Sequence, residues 1–322
     1  MSGEVEVACF GEPLVGFYAK KTTPEELSSF TMVIGGDTSN VALAIAKLGH
    51  TAMYITKLGD DIFGEQIWKA WDKANVDTSG VFIDNCHQTG IYFTFFDHTG
   101  RHRFVYRRRN SAAANFTLED ARRVSLKGVK VFHLSGISQA ISKHCLEVSF
   151  YFMQKCKQLG IMVSYDVNYR DLLWGREFFN SVAWFTIRHF ADVVSLNLDE
   201  ARILGLSGEP EKVVEEIIKV GPKFVAIKLG KAGCVFGSSE GVEYCKSFNV
   251  PVVDTVGAGD AFTAAIIVGI LEDMSCKYIV CFANAVASMV CGSVGSTSGQ
   301  PTRKEVEKFM IARRLGENSN IP

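Results

Sequence analysis

Neither sign of charge dominates this chain of 322 residues: 34 basic and 35 acidic side chains leave a formal net charge of −1. The wide field that gathers nucleic acid or anionic lipid is missing, so any anionic ligand must be held by local groups. A cysteine framework is missing as well. The nine cysteines are odd in number and scattered from Cys9 to Cys291, with no CxxC pair and no zinc-like Cys/His spacing, which points to buried thiols in a reducing cytosol. The N-terminal stretch MSGEVEVACFGEP carries acids where a signal peptide needs bases, and no apolar run reaches the length of a membrane span. Neither export nor membrane insertion is indicated, and a cytoplasmic protein with no nucleic-acid or membrane partner is the expectation. No internal repeat, low-complexity tract or Pro/Gly-rich linker divides the chain, so residues 1–322 read as one domain.

What is present is an alternating pattern. Hydrophobic residues make up 47% of the chain, enough for one large core. Short runs rich in Val, Ile and Phe (VEVACF, AMYITKLG, VKVFHLSG, IMVSYDV, DVVSLN, FVAIKLG) read as strands, and longer stretches of helical period lie between them. Such βα units predict an α/β fold with a mostly parallel central sheet flanked by helices. FGEQIWKAWDKANV reads as a helix, as does SKHCLEVSFYFMQKCKQLG, opening on Ser142 as N-cap and closing on Gly160. One region departs from the pattern. From Gly90 to Arg108, GIYFTFFDHTGRHRFVYRR gives two alternating runs joined at Asp97-His98-Thr99-Gly100, a hairpin set as a lid on the domain. Alternation puts Phe104, Tyr106 and Arg108 on one face of its second strand and Arg107 and Arg109 on the other.

The stretch DTVGAGDAFTAAIIVGILE, Asp254 to Glu272, runs a loop of small residues straight into an apolar helix. With little or no side chain at Gly257, Ala258 and Gly259, successive N–H groups can turn toward an anion at the positive end of the helix dipole. Asp260 falls in the first turn, placed to take a proton from a hydroxyl that attacks phosphorus. The bland alternative is a cap and a tight turn. A second glycine-to-helix junction, GGDTSNVALAIAKLG at Gly35 to Gly49, is expected to be capped near Thr38 or Ser39 and to stop at Gly49; it fits neither the dinucleotide fingerprint nor a P-loop. A third stretch, SLNLDE, offers Asn197 and Glu200 as hard oxygen groups near Mg²⁺, or else an ordinary acidic helix start.

GGDTSNVALAIAKLG, NLDE and DTVGAGDAF together resemble the paired motifs of the ribokinase-like carbohydrate kinases, and GEPLV, LGDDIFG, DVNYR and KLGKAG extend the likeness along the whole chain. The resemblance implies a ribokinase-like fold with β-lid segments near 14–34 and 90–109, and transfer of the γ-phosphoryl group of ATP to a sugar hydroxyl. It implies Asp260 as base and Gly257, Ala258 and Gly259 around the transferring phosphate. Asn168, Asn197, Lys228, Gly230, Gly233 and Asn284 fall where that family holds the nucleotide, with Asn197 and Glu200 near Mg²⁺ through water. A monovalent cation and a homo-oligomer built on the lid stay open.

Among subgroups, DVNYR with Leu173-Trp174 is similar to both 2-keto-3-deoxygluconate kinases and fructokinases, while YRRRNSAAA, GEPLV and FHLSGI resemble the former. By that likeness Gly36, Tyr92, Tyr106, Arg108, Arg170 and Asp260 contact a small sugar acid, and Arg108 suits a carboxylate through a bidentate clamp. A fructokinase, a nucleoside kinase and a non-catalytic kinase-like binding module are the competing readings. His98 and His102, beside the hairpin turn, are assigned nothing.

Overall fold

A computed structural model of the protein describes residues 4–19, 29–96 and 102–318. The strands among them are β1 (Val7–Phe10), β2 (Leu14–Ala19), β3 (Phe30–Gly35), β4 (Ala52–Gly59), β5 (Asp77–Asp84), β6 (Ile91–Phe96), β7 (His102–Arg107), β8 (Val131–Ser135), β9 (Met162–Asp166), β10 (Val193–Asn197), β11 (Phe224–Lys228), β12 (Cys234–Ser238) and β13 (Gly241–Cys245). Nine of them form one sheet in the order β13-β12-β11-β10-β9-β8-β1-β4-β5. Pairing is parallel from β5 to β11 and antiparallel only where β12 and β13 fold back along the edge. The α/β class with a mostly parallel sheet follows the sequence pattern. The antiparallel edge does not appear in it.

Burial on both faces explains why the parallel strands read as nearly unbroken apolar runs. Along β1 the side chains alternate between two cores: Val7 and Cys9 join a cluster with Ile45, Trp71, Phe262 and Phe282, while Ala8 and Phe10 join one with Phe132, Phe152, Tyr165 and Phe179. The helix Ala258–Leu271 is apolar all round, and its residues from Ala261 to Gly269 are all buried. A helix of that composition has to be enclosed; it packs on helices Asp37–Lys47 and Cys276–Val290. No helix among the described residues is long and apolar enough to cross a membrane.

A separate sheet of four strands, order β3-β2-β6-β7, forms the lid. β6 and β7 are the expected hairpin, paired in register from Ile91/Arg107 to Phe96/His102; its turn at Asp97 to Gly100 lies outside the described residues. β2 runs parallel to β6, and only Gly11, Glu12 and Pro13 separate it from β1, so the lid is tied directly to an inner strand of the main sheet, third from its β5 edge.

The helix SKHCLEVSFYFMQKCKQLG begins on Ser142, whose hydroxyl accepts from the Cys145 N–H, and ends on a left-handed Gly160, as read from sequence. The helix at the second glycine junction differs at its start. It spans Asp37–Lys47 with Gly36 as N-cap, and no side chain caps it. Thr38 and Ser39 are buried inside it instead. The Thr38 hydroxyl lies 2.8 Å from the Tyr54 hydroxyl, and the Ser39 hydroxyl accepts from the Trp71 indole at 3.0 Å. Burial gave these hydroxyls tertiary partners in place of the local capping bond.

Candidate active site

The predicted residues gather at the carboxyl edge of the parallel strands, where such sheets place their ligands. Gly11 and Glu12 leave β1, Asn168 and Arg170 follow β9, Asn197 ends β10 and Lys228 ends β11. The helix Ala258–Leu271 points its first turn into the same region. Its N-cap, Gly257, has φ of 81° and no capping side chain, so the first N–H groups are not used by a cap. No other residue fits there: a Cβ on Gly257 would fall 2.5 Å from the Ser296 carbonyl oxygen. Gly36 meets the same condition at the other junction, with φ of 108° and a Cβ position 2.5 Å from the Glu12 carbonyl oxygen.

Asp260 is the third residue of its helix. Its carboxyl is pushed up to about 7, chiefly by desolvation and next by the Asp37 carboxylate, with Asn40 pulling the other way. The Asn40 amide donates to Asp260 Oδ2 at 2.7 Å. Lys228 forms a two-point pair with Asp166, at 3.0 and 2.7 Å, and the Thr263 hydroxyl, one turn beyond Asp260, lies 3.0 Å from both Asp166 Oδ2 and Ser195 Oγ. Burial works against the Lys228 charge, but Asp166, Glu200 and Asp260 more than offset it, and the ammonium is held above its ordinary range. It stays a cation.

Beside this network opens a cavity of about 730 Å³ lined by Lys228, Gly230, Gly233, Ala258, Gly259 and Asn284, with Phe248, Val250, Val252, Phe262 and Ala287 as apolar wall. Glycines and apolar side chains suit a flat ring, and Ala258 and Gly259 bring the helix start to the same space. Asn284 is anchored, donating to the Cys245 carbonyl at 2.7 Å. Asn197 and Glu200 form a capping box: Asn197 Oδ1 accepts from the Glu200 N–H and Glu200 Oε2 from the Asn197 N–H, both at 2.9 Å. Of the two readings of NLDE, the structure shows the helix start, and the cap occupies one carboxylate oxygen of Glu200. Desolvation raises the Glu200 carboxyl, with Lys228 opposing. Among the described residues no group of three or more His, Cys, Asp or Glu side chains is placed to hold a metal ion.

On the lid side, Tyr106 and Arg108 turn inward and Arg107 and Arg109 outward, as the alternation requires. The Arg108 guanidinium lies 5.6 Å from the Tyr106 ring centroid and pairs with Glu12, a carboxylate 1% exposed that also accepts from Ser111. Tyr92 is buried: 5% exposed, it packs on Tyr18 and Tyr106. Arg170 is exposed, its Nη1 donating to the Tyr169 carbonyl at 2.8 Å. Asn168 turns toward this side rather than the nucleotide cavity, with Nδ2 3.4 Å from Asp37 Oδ2.

Three groups were not singled out by sequence: Glu12, Asp37 and Asn40. Asp37 accepts from Ser135, feels both Arg108 and Arg170, and is nonetheless raised because desolvation outweighs them. Its position was the available signal. It heads the helix after Gly35-Gly36 much as Asp260 follows the glycines of its own junction, and Asn40 lies one turn further on.

Comparison with known proteins agrees with this geometry. A family model described as pfkB family carbohydrate kinase matches residues 5–303. The 2-dehydro-3-deoxygluconokinase of Bacillus subtilis is 32% identical over 316 residues, covering 97% of each chain. Fructokinase-1 of Oryza sativa is 31% identical over 321 residues, covering 96% of this chain and 99% of the other. The crystal structure of 2-dehydro-3-deoxygluconokinase from Thermotoga maritima superposes with a TM-score of 0.89 at 26% identity, covering 95% and 98% of the two chains. With the ribokinase-like architecture, the glycine-headed helix and near full-length similarity in hand, the chain belongs to the pfkB family of carbohydrate kinases.

Proposed function

We propose that this kinase transfers the γ-phosphoryl group of ATP to a hydroxyl of 2-keto-3-deoxygluconate (2-dehydro-3-deoxygluconate), with Asp260 as general base. The observation that carries the reading is Asp260 itself. It stands at the head of an uncapped helix, beside the 730 Å³ cavity on one side and the Tyr106, Arg108 and Asp37 group on the other, with its carboxyl raised to about 7. A base with that affinity can take a proton near neutral pH while a substantial fraction of it, about half, is ionised beforehand.

The chemistry follows from the residues. ATP lies in the cavity with its phosphates toward Gly257, Ala258 and Gly259, whose N–H groups and helix dipole offset the charge on the transferring group. The hydroxyl proton passes to Asp260 as its oxygen bonds to phosphorus, and the bond to the departing ADP oxygen breaks. Lys228, Gly230, Gly233 and Asn284 serve the nucleotide. Mg²⁺ neutralises phosphate charge when bound. Glu200 and Asn197 are the residues that would lie near such an ion, through water.

Arg108 is the sugar-acid determinant, with Arg170, Tyr106, Gly36 and Tyr92 around the same ligand. Glu12 takes one edge of the guanidinium, and a guanidinium carries five N–H donors, so a substrate carboxylate can share it. The same pairing favours the second reading, a fructokinase, because an arginine already matched by Glu12 tolerates a neutral sugar. ATP consumption measured against 2-keto-3-deoxygluconate, fructose, ribose and adenosine separates them. A larger specificity constant for fructose than for the acid overturns the primary reading, and no turnover with any of the four overturns both.

A further inference from the structure

We infer that Asn40 is a positioning residue for Asp260, fixing which carboxylate oxygen receives the substrate proton, and that Ser296 holds Asn40 in that orientation. The inference rests on Asp260 being the base.

Asn40 is the fourth residue of helix Asp37–Lys47 and is 3% exposed. Its Nδ2 lies 2.7 Å from Asp260 Oδ2. An ionised carboxylate only accepts, so the nitrogen side of the amide must face it, and the oxygen side must face away. There Asn40 Oδ1 meets the Ser296 hydroxyl at 3.1 Å, a group that also reaches the Ile34 carbonyl at 3.2 Å. Ser296 is 1% exposed. The segment that carries it is fastened to the same helix at two further points. Gln300 donates to the Asn40 carbonyl at 2.8 Å, and Lys47 donates to the Thr297 and Gln300 carbonyls at 3.0 and 3.1 Å. Gly257, just before the Asp260 helix, lies so close to Ser296 that no side chain fits between them. Three distant parts of the chain therefore converge on one amide.

The consequence is chemical. With Oδ2 engaged, Oδ1 is the oxygen left for the sugar hydroxyl; among the described residues no hydrogen bond reaches it. As the hydroxyl oxygen bonds to phosphorus its O–H bond breaks and the proton goes to Oδ1, while the Asn40 bond to Oδ2 persists. The same bond favours the ionised carboxylate. It works with Lys228, at the end of β11, against desolvation, Asp37 on the same helix as Asn40, and Asp166 at the end of β9. Loss of the Asn40 donor must raise the proton affinity of Asp260, so the acid limb of the turnover profile moves to higher pH.

The test is the pH dependence of kcat, with the best sugar of the panel above, for wild type, Asn40→Ala, Ser296→Ala and Asp260→Asn. Asn40→Ala is expected to move the acid limb up by about one pH unit, the scale on which a hydrogen bond to a charge alters a titration. Ser296→Ala should move it the same way by less, with KM for ATP within about twofold of wild type in both, as the nucleotide contacts are untouched. An acid limb that stays at its wild-type position in both variants overturns the positioning role, as does a loss of kcat that is the same at every pH. Ser296→Ala, which removes one hydroxyl, decides alone if Asn40→Ala does not fold. Wild-type turnover in Asp260→Asn would instead remove the base assignment and this inference with it.

Discussion

The amide of Asn40 and the carboxylate of Asp260 meet at 2.7 Å although 220 residues of chain separate them. Their contact joins the starts of two helices, one following Gly35-Gly36 and the other following Gly257. One helix heads the proposed sugar side of the site and the other holds the proposed base, so the bond links the two halves.

Asp260→Asn should leave ATP binding nearly intact while lowering kcat by about 10² to 10⁴, the usual contribution of a general base. Asparagine keeps the size and the position in the first turn but cannot take the proton. Turnover equal to wild type would remove Asp260 from the mechanism.

The acid limb of the wild-type profile should itself report this residue. The working form is the carboxylate, present above its pKa, and that pKa is raised to about 7 by desolvation and by Asp37. Turnover is therefore expected to fall as pH drops through about 7. A kcat that stays flat down to the ordinary carboxylate range, about pH 4, would show that no raised carboxyl limits the reaction.

Glu200→Gln should raise the Mg²⁺ concentration for half-maximal activity, because it removes charge from the surroundings of the metal–ATP complex. Glutamine can still close the capping box with Asn197, so the helix should remain in place. A Mg²⁺ titration that overlays the wild-type curve would count against a role near the metal.

Arg108→Lys keeps the charge and loses the planar two-point contact. The ratio of specificity constants for 2-keto-3-deoxygluconate over fructose should fall about tenfold or more, as expected for loss of a charge-assisted hydrogen bond. Glu12 can still pair with the lysine, which limits structural damage. Equal losses for both sugars would place Arg108 outside carboxylate recognition.

How much was legible depended on how local the signal was. The helix from Ser142 to Gly160 was readable because its cap and its left-handed stop are both written into adjacent residues. The buried helix that starts in Gly257, Ala258 and Gly259 was readable because a helix that apolar has to be enclosed. The caps assigned to Thr38 and Ser39 were not right, since their hydroxyls belong to Tyr54 and Trp71, partners that no local rule supplies. Asp37, Asn40 and Glu12 were passed over for the same reason: what makes them notable is Ser135, Asp260 and Arg108, each about a hundred residues away or more. The β12–β13 edge was not read, although only two residues join its strands, a spacing open to antiparallel strands alone.

The order of residues along the chain also bears on synthesis. Every proposed sugar-side residue other than the base, from Gly36 to Arg170, leaves the ribosome before the helix Ala258–Leu271 that carries Asp260. Until that helix arrives, the apolar face it covers on helix Asp37–Lys47 has no occupant, and the growing chain can hold sugar-binding groups without any means of transferring phosphate. The helix Ala258–Leu271 and the helix Cys276–Val290 that packs on it come late and together, so a nascent chain short of them exposes the apolar surface they cover, of the kind that chaperones recognise.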